Sequence, residues 1–312
     1  YDAMSHQIVD SLDLSIPSGP TESRTYGPEC DYTKIPYDYT RTHMPTNRDT
    51  RPGTPSGTAE PTPPDYQLNI IGGFTDAFHF HPIIVRDSTA TIYLHNNMLD
   101  YNHSYYVTID EGVLTLPDHS FHGISKEHNW SFKTKDSAPA STDTLIVDAN
   151  GQGDFNTVQG ALDFIPDFSQ KQTVILIQAG DYEELVYARN KTNVKIKGAG
   201  MDRTRVHYAN NEVFNPHPLT VKTNEWPGTF PSRRAAFMLD NCSDILLEDL
   251  TIATDLHGQA EGLLLNGERI ALYSVHIIGS GDALQANGTI YMESCELDGG
   301  GDTILGRGSL FA

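Results

Sequence analysis

Two aspartates near the end of the sequence, with a glutamine upstream, carry side chains that could do chemistry together. Asp282 lies in GSGDALQ, Asp302 in GGGDTILG and Gln259 in GQAEGL. One carboxylate can attack an ester carbonyl, a second can move protons, and an amide can donate to the oxyanion, without a serine or a metal. Taken singly, each aspartate follows a glycine in a turn-like context, where Asp is common for capping alone. The hypothesis therefore depends on elements that bring the three residues together.

The intervals of 23 and 20 residues between these positions are close to the intervals of 25 and 20 residues that separate three similar segments of the same stretch. The segments ILLEDLTI, IALYSVHI and IYMESCEL, which begin at Ile245, Ile270 and Ile290, carry apolar residues at the same offsets. These aligned positions are Leu247, Leu272 and Met292, then Leu250, Val275 and Cys295, then Ile252, Ile277 and Leu297. Such spacing is typical of a solenoid whose coils each add a strand to parallel sheets. An ordinary β-sandwich with chance similarity is the alternative.

The rest of the chain divides by composition. Residues 1–65 are rich in Pro and Thr and are predicted to be extended, while 66–136 hold short β-type runs typical of a small antiparallel, Ig-like sandwich. A small-residue linker, 137–143, leads to a predicted parallel β-helix over 144–312. VILIQAG at 174–180 and NVKIKGAG at 193–200 are predicted early coils, and VQGALDFIP at 158–166 is a predicted helix that caps the first coil.

Composition excludes several classes of function. The net charge of −20 disfavours nucleic acid and anionic membranes as partners, and no apolar run approaches the roughly 20 residues that span a bilayer. An acidic substrate would need its charge met locally or masked, as in an ester. Cys30, Cys242 and Cys295 form neither a disulfide framework nor a zinc motif, so we predict no metal and no cofactor. Because the chain begins at Tyr1, we expect a removed leader and a secreted, periplasmic or cell-surface location.

The chain resembles the pectin methylesterase family from about residue 144 to 312. VDANGQGDFNTVQGALDFIP is similar to the opening of that family, GDYEE to its G-x-Y-x-E element, and the stretches from GQAEGL to GSGDAL and CELDGGGDTILG to its two aspartate motifs. The resemblance implies an all-β fold with a right-handed parallel β-helix. It also implies that Asp302 is the nucleophile, Asp282 the acid and base, and Gln259 an oxyanion donor. Tyr182 and Glu184 of GDYEE are expected to be structural.

The chain departs from the family motif beside Asp282, where Gly281 replaces a second glutamine. That donor role could be taken over by a backbone N–H, by Gln285 or by no group at all. The family also uses an arginine from a coil farther downstream, and Arg307 is the nearby candidate. Together with Trp226, a possible stacking platform for a sugar ring, Gln285 and Arg307 are the substrate-binding candidates.

The leading hypothesis is a pectin methylesterase that hydrolyses methyl esters of galacturonate in homogalacturonan. The alternative is a catalytically impaired β-helix that binds pectic or other glycans, and a polysaccharide lyase is a weaker third reading. Because no capping helix or polar terminal repeat follows Asp302, we also expect further coils, either on a C-terminal fragment made by cleavage of a longer precursor or in the product of the full-length gene.

Overall fold

The computed structural model describes residues 1–19, 66–74, 77–116, 120–126, 130–215 and 232–312. The chain divides into two compact units, Tyr1–Ser18 with His81–Ala140, and Gly19–Phe80 with Ser141–Ala312. These divisions differ from the predicted bounds, because residues 66–80 belong to the second unit instead of the first. The predicted domain assignment, including its Ig-like module, otherwise stays a prediction.

The described residues form one helix and eighteen strands. The helix is α1 (Val158–Phe164), and the strands are, in chain order, β1 (Leu68–Asn69), β2 (Phe78–His79), β3 (Ile83–Arg86), β4 (Thr89–Ile92), β5 (Ser104–Val107), β6 (Trp130–Lys133), β7 (Thr144–Val147), β8 (Thr173–Ile177), β9 (Gly180–Glu183), β10 (Val186–Arg189), β11 (Thr192–Lys197), β12 (Thr204–Tyr208), β13 (Phe237–Thr254), β14 (Glu261–Ile278), β15 (Asp282–Glu293), β16 (Glu296–Asp298), β17 (Ile304–Gly306) and β18 (Ser309–Phe311). Within these described residues, no helix has the length and hydropathy of a membrane span.

The first unit holds two antiparallel strand pairs. Strand β3 pairs with β4, and β5 pairs with β6. The N-terminal segment joins the second pair, since Asp2 forms a β-bridge with Tyr105 and the ring of Tyr1 stacks on that of Tyr106 at 4.9 Å. Strands β3 to β6 thus lie in the region 66–136 that was predicted to hold short β-type runs.

The second unit is a parallel β-helix, which confirms the predicted fold class. The 18-residue strand β13 pairs in turn with β10, β11 and β12 of the coil before it, and in parallel with β14 of the coil after it. One long strand therefore runs around several sides of a coil. The predicted alignment is confirmed in register, since Leu247 lies beside Leu272 and Leu272 beside Met292. On another side, Ile252 lies beside Ile277, which lies beside Leu297.

Short polar residues turn the chain at the corners between sheets. Asn190 and Asn241 adopt left-handed φ angles of +63° and +53° on neighbouring coils, and Asn241 Nδ2 donates to Asn190 Oδ1 at 2.7 Å. Ser274 and Ser294 turn another corner in the same way. Small polar residues tolerate this conformation better than branched ones. The apolar residues between corners can then point into one continuous core.

Helix α1 covers the first coil, as predicted. The Thr157 side chain caps it by accepting from Gly160 N at 3.1 Å, and Glu184 accepts from the first two backbone N–H groups of α1, at 2.7 and 2.9 Å. The helix ends before Pro166, two residues short of the predicted end, because proline disfavours a helical residue before it. Glu184 therefore ties the second coil to its cap, which fits the structural role expected for it.

Residues 66–74 and 77–80 pack against the β-helix, which explains why they leave the predicted sandwich. Gly72 has φ +67°, and a side chain there would lie 1.8 Å from Tyr187 O, so this approach requires glycine. The rings of Phe74 and Phe78 pack against Tyr187, with centroids at 6.0 and 4.6 Å. Within residues 69–74, in the region predicted to hold short β-type runs, Asn69 ends β1, and Gly72 and Gly73 form a turn.

Candidate active site

The predicted catalytic aspartates lie side by side on successive coils. Asp282 begins β15, and the pairing of Leu284 with Ile304 in β17 sets Asp302 beside it. The Asp302 backbone N–H donates to Asp282 Oδ1 at 3.1 Å. On the coil before, Glu261 begins β14 and lies in register with Asp282. We call Glu261, Asp282 and Asp302 the acidic ladder, whose neighbouring rungs are separated by the strand spacing of about 4.8 Å.

Glycine turns place the ladder at the start of each strand. In the turn before Asp282, a side chain at Gly279 would lie 1.7 Å from Asp282 O, so only glycine fits. The turns also stack on one another, because Ser280 N donates to Ala260 O at 3.0 Å and Gly300 N donates to Ser280 O at 3.0 Å. The GSGD and GGGD motifs therefore have a structural role in aligning the carboxylates.

The members of the site differ in exposure. The side chain of Asp282 is only 10% exposed, whereas Asp302 and Gln259 are exposed. A reactive group that meets a polymer must be reachable, and a group that exchanges protons beside it can lie deeper. The structure thus combines an exposed carboxylate and an exposed amide with a nearly buried carboxylate.

Arg234 joins three members of the site and was not foreseen from the sequence. Its Nε donates to Glu261 Oε1 at 2.6 Å and its Nη1 donates to Gln259 Oε1 at 3.2 Å. Its Nη2 lies 3.6 Å from Asp282 Oδ2. The ion pair with Glu261 raises the pKa of Arg234, although burial opposes this. A fixed positive charge is therefore present within the candidate site.

Glu261 is the buried end of the ladder. Its side chain is fully buried, and burial raises its pKa to about 7, with Arg234 opposing the rise and Asp282 adding to it. Its Oε2 atom has no hydrogen-bond partner among the described residues. The sequence signal for this residue was an acid directly before the apolar run GLLL, where a buried strand would favour an apolar residue.

The replacement of the second family glutamine by Gly281 has a steric reason. A side chain at Gly281 would begin 2.7 Å from Gly258 O and 3.3 Å from Gln259 Cα. Gln285, the suggested substitute, is buried, and its Oε1 accepts from Ser232 Oγ at 3.1 Å. Its contact with substrate stays a prediction.

The predicted residue Arg307 does not join the ladder in the structure. Arg307 is exposed and its backbone N–H donates to Asn287 Oδ1 at 3.0 Å. No ion pair links its side chain to Asp302, both of which belong to the described range 232–312. Trp226 lies outside the described residues, so its predicted stacking role stays a prediction.

A second polar cluster lies elsewhere on the β-helix. Glu183, His207 and Asp255 bring potential ligand atoms within 4.8 Å of one another. His207 Nδ1 already faces Asp255, and Arg205 Nη2 donates to Asp255 Oδ1 at 3.0 Å. The guanidinium beside the carboxylate balances its charge, so we assign no metal ion to this cluster.

Comparison with known proteins links the β-helix to one family. The sequence profile of the family described as Pectinesterase matches residues 144–311. Among curated proteins of Arabidopsis thaliana, the chain is similar to a probable pectinesterase 8, with 29% identity over 55% of this chain and 44% of that protein. It is also similar to a putative pectinesterase 14, with 31% identity over 61% and 55%. The chain thus spans about half the length of the curated relatives it matches.

Solved structures of two pectin methylesterases are also similar. The carrot protein matches with a TM-score of 0.45 and 23% identity over 56% of this chain and 51% of that chain. The Erwinia chrysanthemi protein matches with a TM-score of 0.43 and 19% identity over 55% and 54%.

Proposed function

Because this chain belongs to the pectinesterase family, we propose that it hydrolyses methyl esters of galacturonate in homogalacturonan at the acidic ladder. The observation that carries the proposal is the position of Asp302 beside Asp282, with the Asp302 N–H bonded to Asp282 Oδ1 at 3.1 Å. Both residues lie within the range that matches the family. As pectin is a cell-wall polymer, the proposal includes action outside the cytoplasm.

In the proposed first step, the Asp302 carboxylate attacks the ester carbonyl carbon. The tetrahedral intermediate collapses as the bond to the methoxy oxygen breaks, and protonated Asp282 gives its proton to the departing methanol. The products of this step are methanol, an Asp282 carboxylate and a mixed anhydride between Asp302 and the galacturonate.

In the second step, water attacks the anhydride while Asp282 accepts one of its protons. Asp302 is released as a carboxylate, and the galacturonic acid ionises, so each cycle yields one methanol and one proton. Gln259 Nε2 is proposed to donate to the oxyanion in both tetrahedral intermediates. A single such donor is commonly worth roughly 3 kcal/mol of barrier.

The alternative, a β-helix that binds pectic glycans without hydrolysing them, is favoured by one observation. A second glutamine beside Asp282 is sterically excluded, since a side chain at Gly281 would begin 2.7 Å from Gly258 O. The site would then have one side-chain oxyanion donor fewer than the family motif. A weakened but active esterase and an inactive binder are separable by experiment.

The test is hydrolysis of highly methylated homogalacturonan by the whole chain. We expect methanol, measured by gas chromatography, to equal the protons measured in a pH-stat. Retained binding of the polymer without methanol release would support the glycan-binding alternative and refute the esterase proposal. Chain shortening with new unsaturated ends would support a lyase instead.

A further inference from the structure

We propose that Arg234, held in place by Glu261, is a positioning residue that orients Gln259 and stabilises Asp282 during catalysis. This inference rests on the proposed function and adds two residues that the sequence motifs did not indicate. It places a positive charge of the site on Arg234, in the coil before Gln259.

The contact with Gln259 fixes which end of the amide can meet the substrate. Arg234 Nη1 donates to Gln259 Oε1 at 3.2 Å, and only the oxygen of the amide can accept that bond. The Nε2 group is then directed away from the guanidinium with its two N–H donors unused by this contact. Gln259 is exposed, so without Arg234 its amide could rotate and present an oxygen to the oxyanion.

Arg234 also places a positive charge beside Asp282. Arg234 Nη2 lies 3.6 Å from Asp282 Oδ2, while the Asp302 N–H occupies Oδ1. As Asp282 gives its proton to methanol, negative charge develops on this carboxylate, and a fixed cation at that distance stabilises it. Glu261 accepts from Arg234 Nε at 2.6 Å and so holds the guanidinium in this position.

The Arg234–Glu261 pair is costly for a purely structural element. Glu261 is fully buried, and its Oε2 has no hydrogen-bond partner in the described part of the chain. Replacing a buried ion pair by apolar residues is often neutral or stabilising, whereas removing one partner strands a charge. A function for the pair at the adjacent site explains why such a pair is present.

A set of variants separates the positioning role from a structural one. Arg234→Ala strands the buried Glu261 carboxylate, so we expect lower stability together with lower activity. The double variant Arg234→Ala with Glu261→Val removes both charges. We expect it to recover the stability lost in the single variant while kcat stays about 10²-fold below that of the wild type. KM should change little, because the contacts act in the transition state.

The matched control is the exposed pair of Arg269 with Asp244, whose hydrogen bonds measure 2.7 and 2.6 Å. Arg269→Ala should leave kcat unchanged. Arg234→Lys keeps the positive charge but lacks the several N–H donors of the guanidinium. Its kcat should therefore lie between those of the wild type and Arg234→Ala. A double variant with both wild-type stability and wild-type kcat would overturn the proposal, since the pair would then be only structural.

A readout independent of turnover distinguishes failure of this inference from failure of the esterase proposal. The side-chain amide signals of Gln259, assigned by comparison with Gln259→Glu, can be followed by NMR in the wild type and in the double variant. We expect the signals to shift and to sharpen in the variant as the amide becomes mobile. Unchanged signals would refute the positioning of Gln259, even if the wild type hydrolyses pectin. A shift would support this positioning, even if the wild type does not hydrolyse pectin.

Discussion

Glu184 is predicted to make the protein less stable as the pH rises. Its side chain is buried between the cap helix and the second coil, and burial raises its pKa to about 7. The backbone N–H groups of Val158 and Gln159, which donate to it, oppose this rise but do not cancel it. Neutralising this residue therefore tests how α1 is attached to the β-helix.

The direction and size of the effect follow from linkage. The pKa is near 4.5 in the unfolded chain and about 7 in the folded one, so the folded state holds the proton more tightly. The stabilisation is fully present below pH 4.5 and is lost as the pH rises through 7. At about 1.4 kcal/mol per pKa unit, Glu184 removes about 3 kcal/mol from the free energy of unfolding between pH 4.5 and 8.

Urea denaturation of wild type and Glu184→Gln across this pH range measures the effect. The glutamine cannot ionise and keeps one oxygen acceptor for the helix. The difference in the free energy of unfolding, variant minus wild type, should therefore increase by about 3 kcal/mol between pH 4.5 and pH 8. The exposed control Glu296→Gln should show no such trend. A difference between Glu184→Gln and wild type that is constant with pH would refute the reasoning.

Two further predictions concern the coils themselves. Gly281→Gln, which restores the family glutamine, should lower methanol release and the melting temperature, because its Cβ would lie 2.7 Å from Gly258 O; higher activity with unchanged stability would contradict this. Leu247→Ala, at a fully buried core position, should cost about 2–5 kcal/mol in the free energy of unfolding. Ile146→Ala, at a 38% exposed position, should cost much less, and equal losses would contradict the stacked core.

The architecture of the β-helix could be predicted because each coil repeats the same physical problem. Leu247, Leu272 and Met292 must all face one core, so their sequence offsets report the length of a coil directly. The same regularity placed Asp302 beside Asp282, since residues one coil apart become neighbours. Local patterns also located the cap helix, although they placed its end two residues too late.

The electrostatic partners of the site could not be predicted in the same way. Arg234 and Glu261 are 27 residues apart and meet only through the stacking of coils. No periodic pattern marks an ion pair, and a single acid before an apolar run is an ambiguous signal. The packing of the segment around Gly72 and Phe74 was missed for a related reason. Its sequence resembles a strand, but both residues contact Tyr187, which is distant in sequence.

The most direct test of the proposed site compares methanol release by Asp302→Asn and by Asp298→Asn. Asp298 is an exposed aspartate on β16 that accepts from His276 and lies outside the acidic ladder, so its variant is a matched control. We predict that Asp302→Asn loses at least about 10³-fold in kcat, within the range seen when nucleophiles are removed, while Asp298→Asn hydrolyses methylated homogalacturonan like the wild type. Wild-type rates of methanol release by Asp302→Asn would contradict the account.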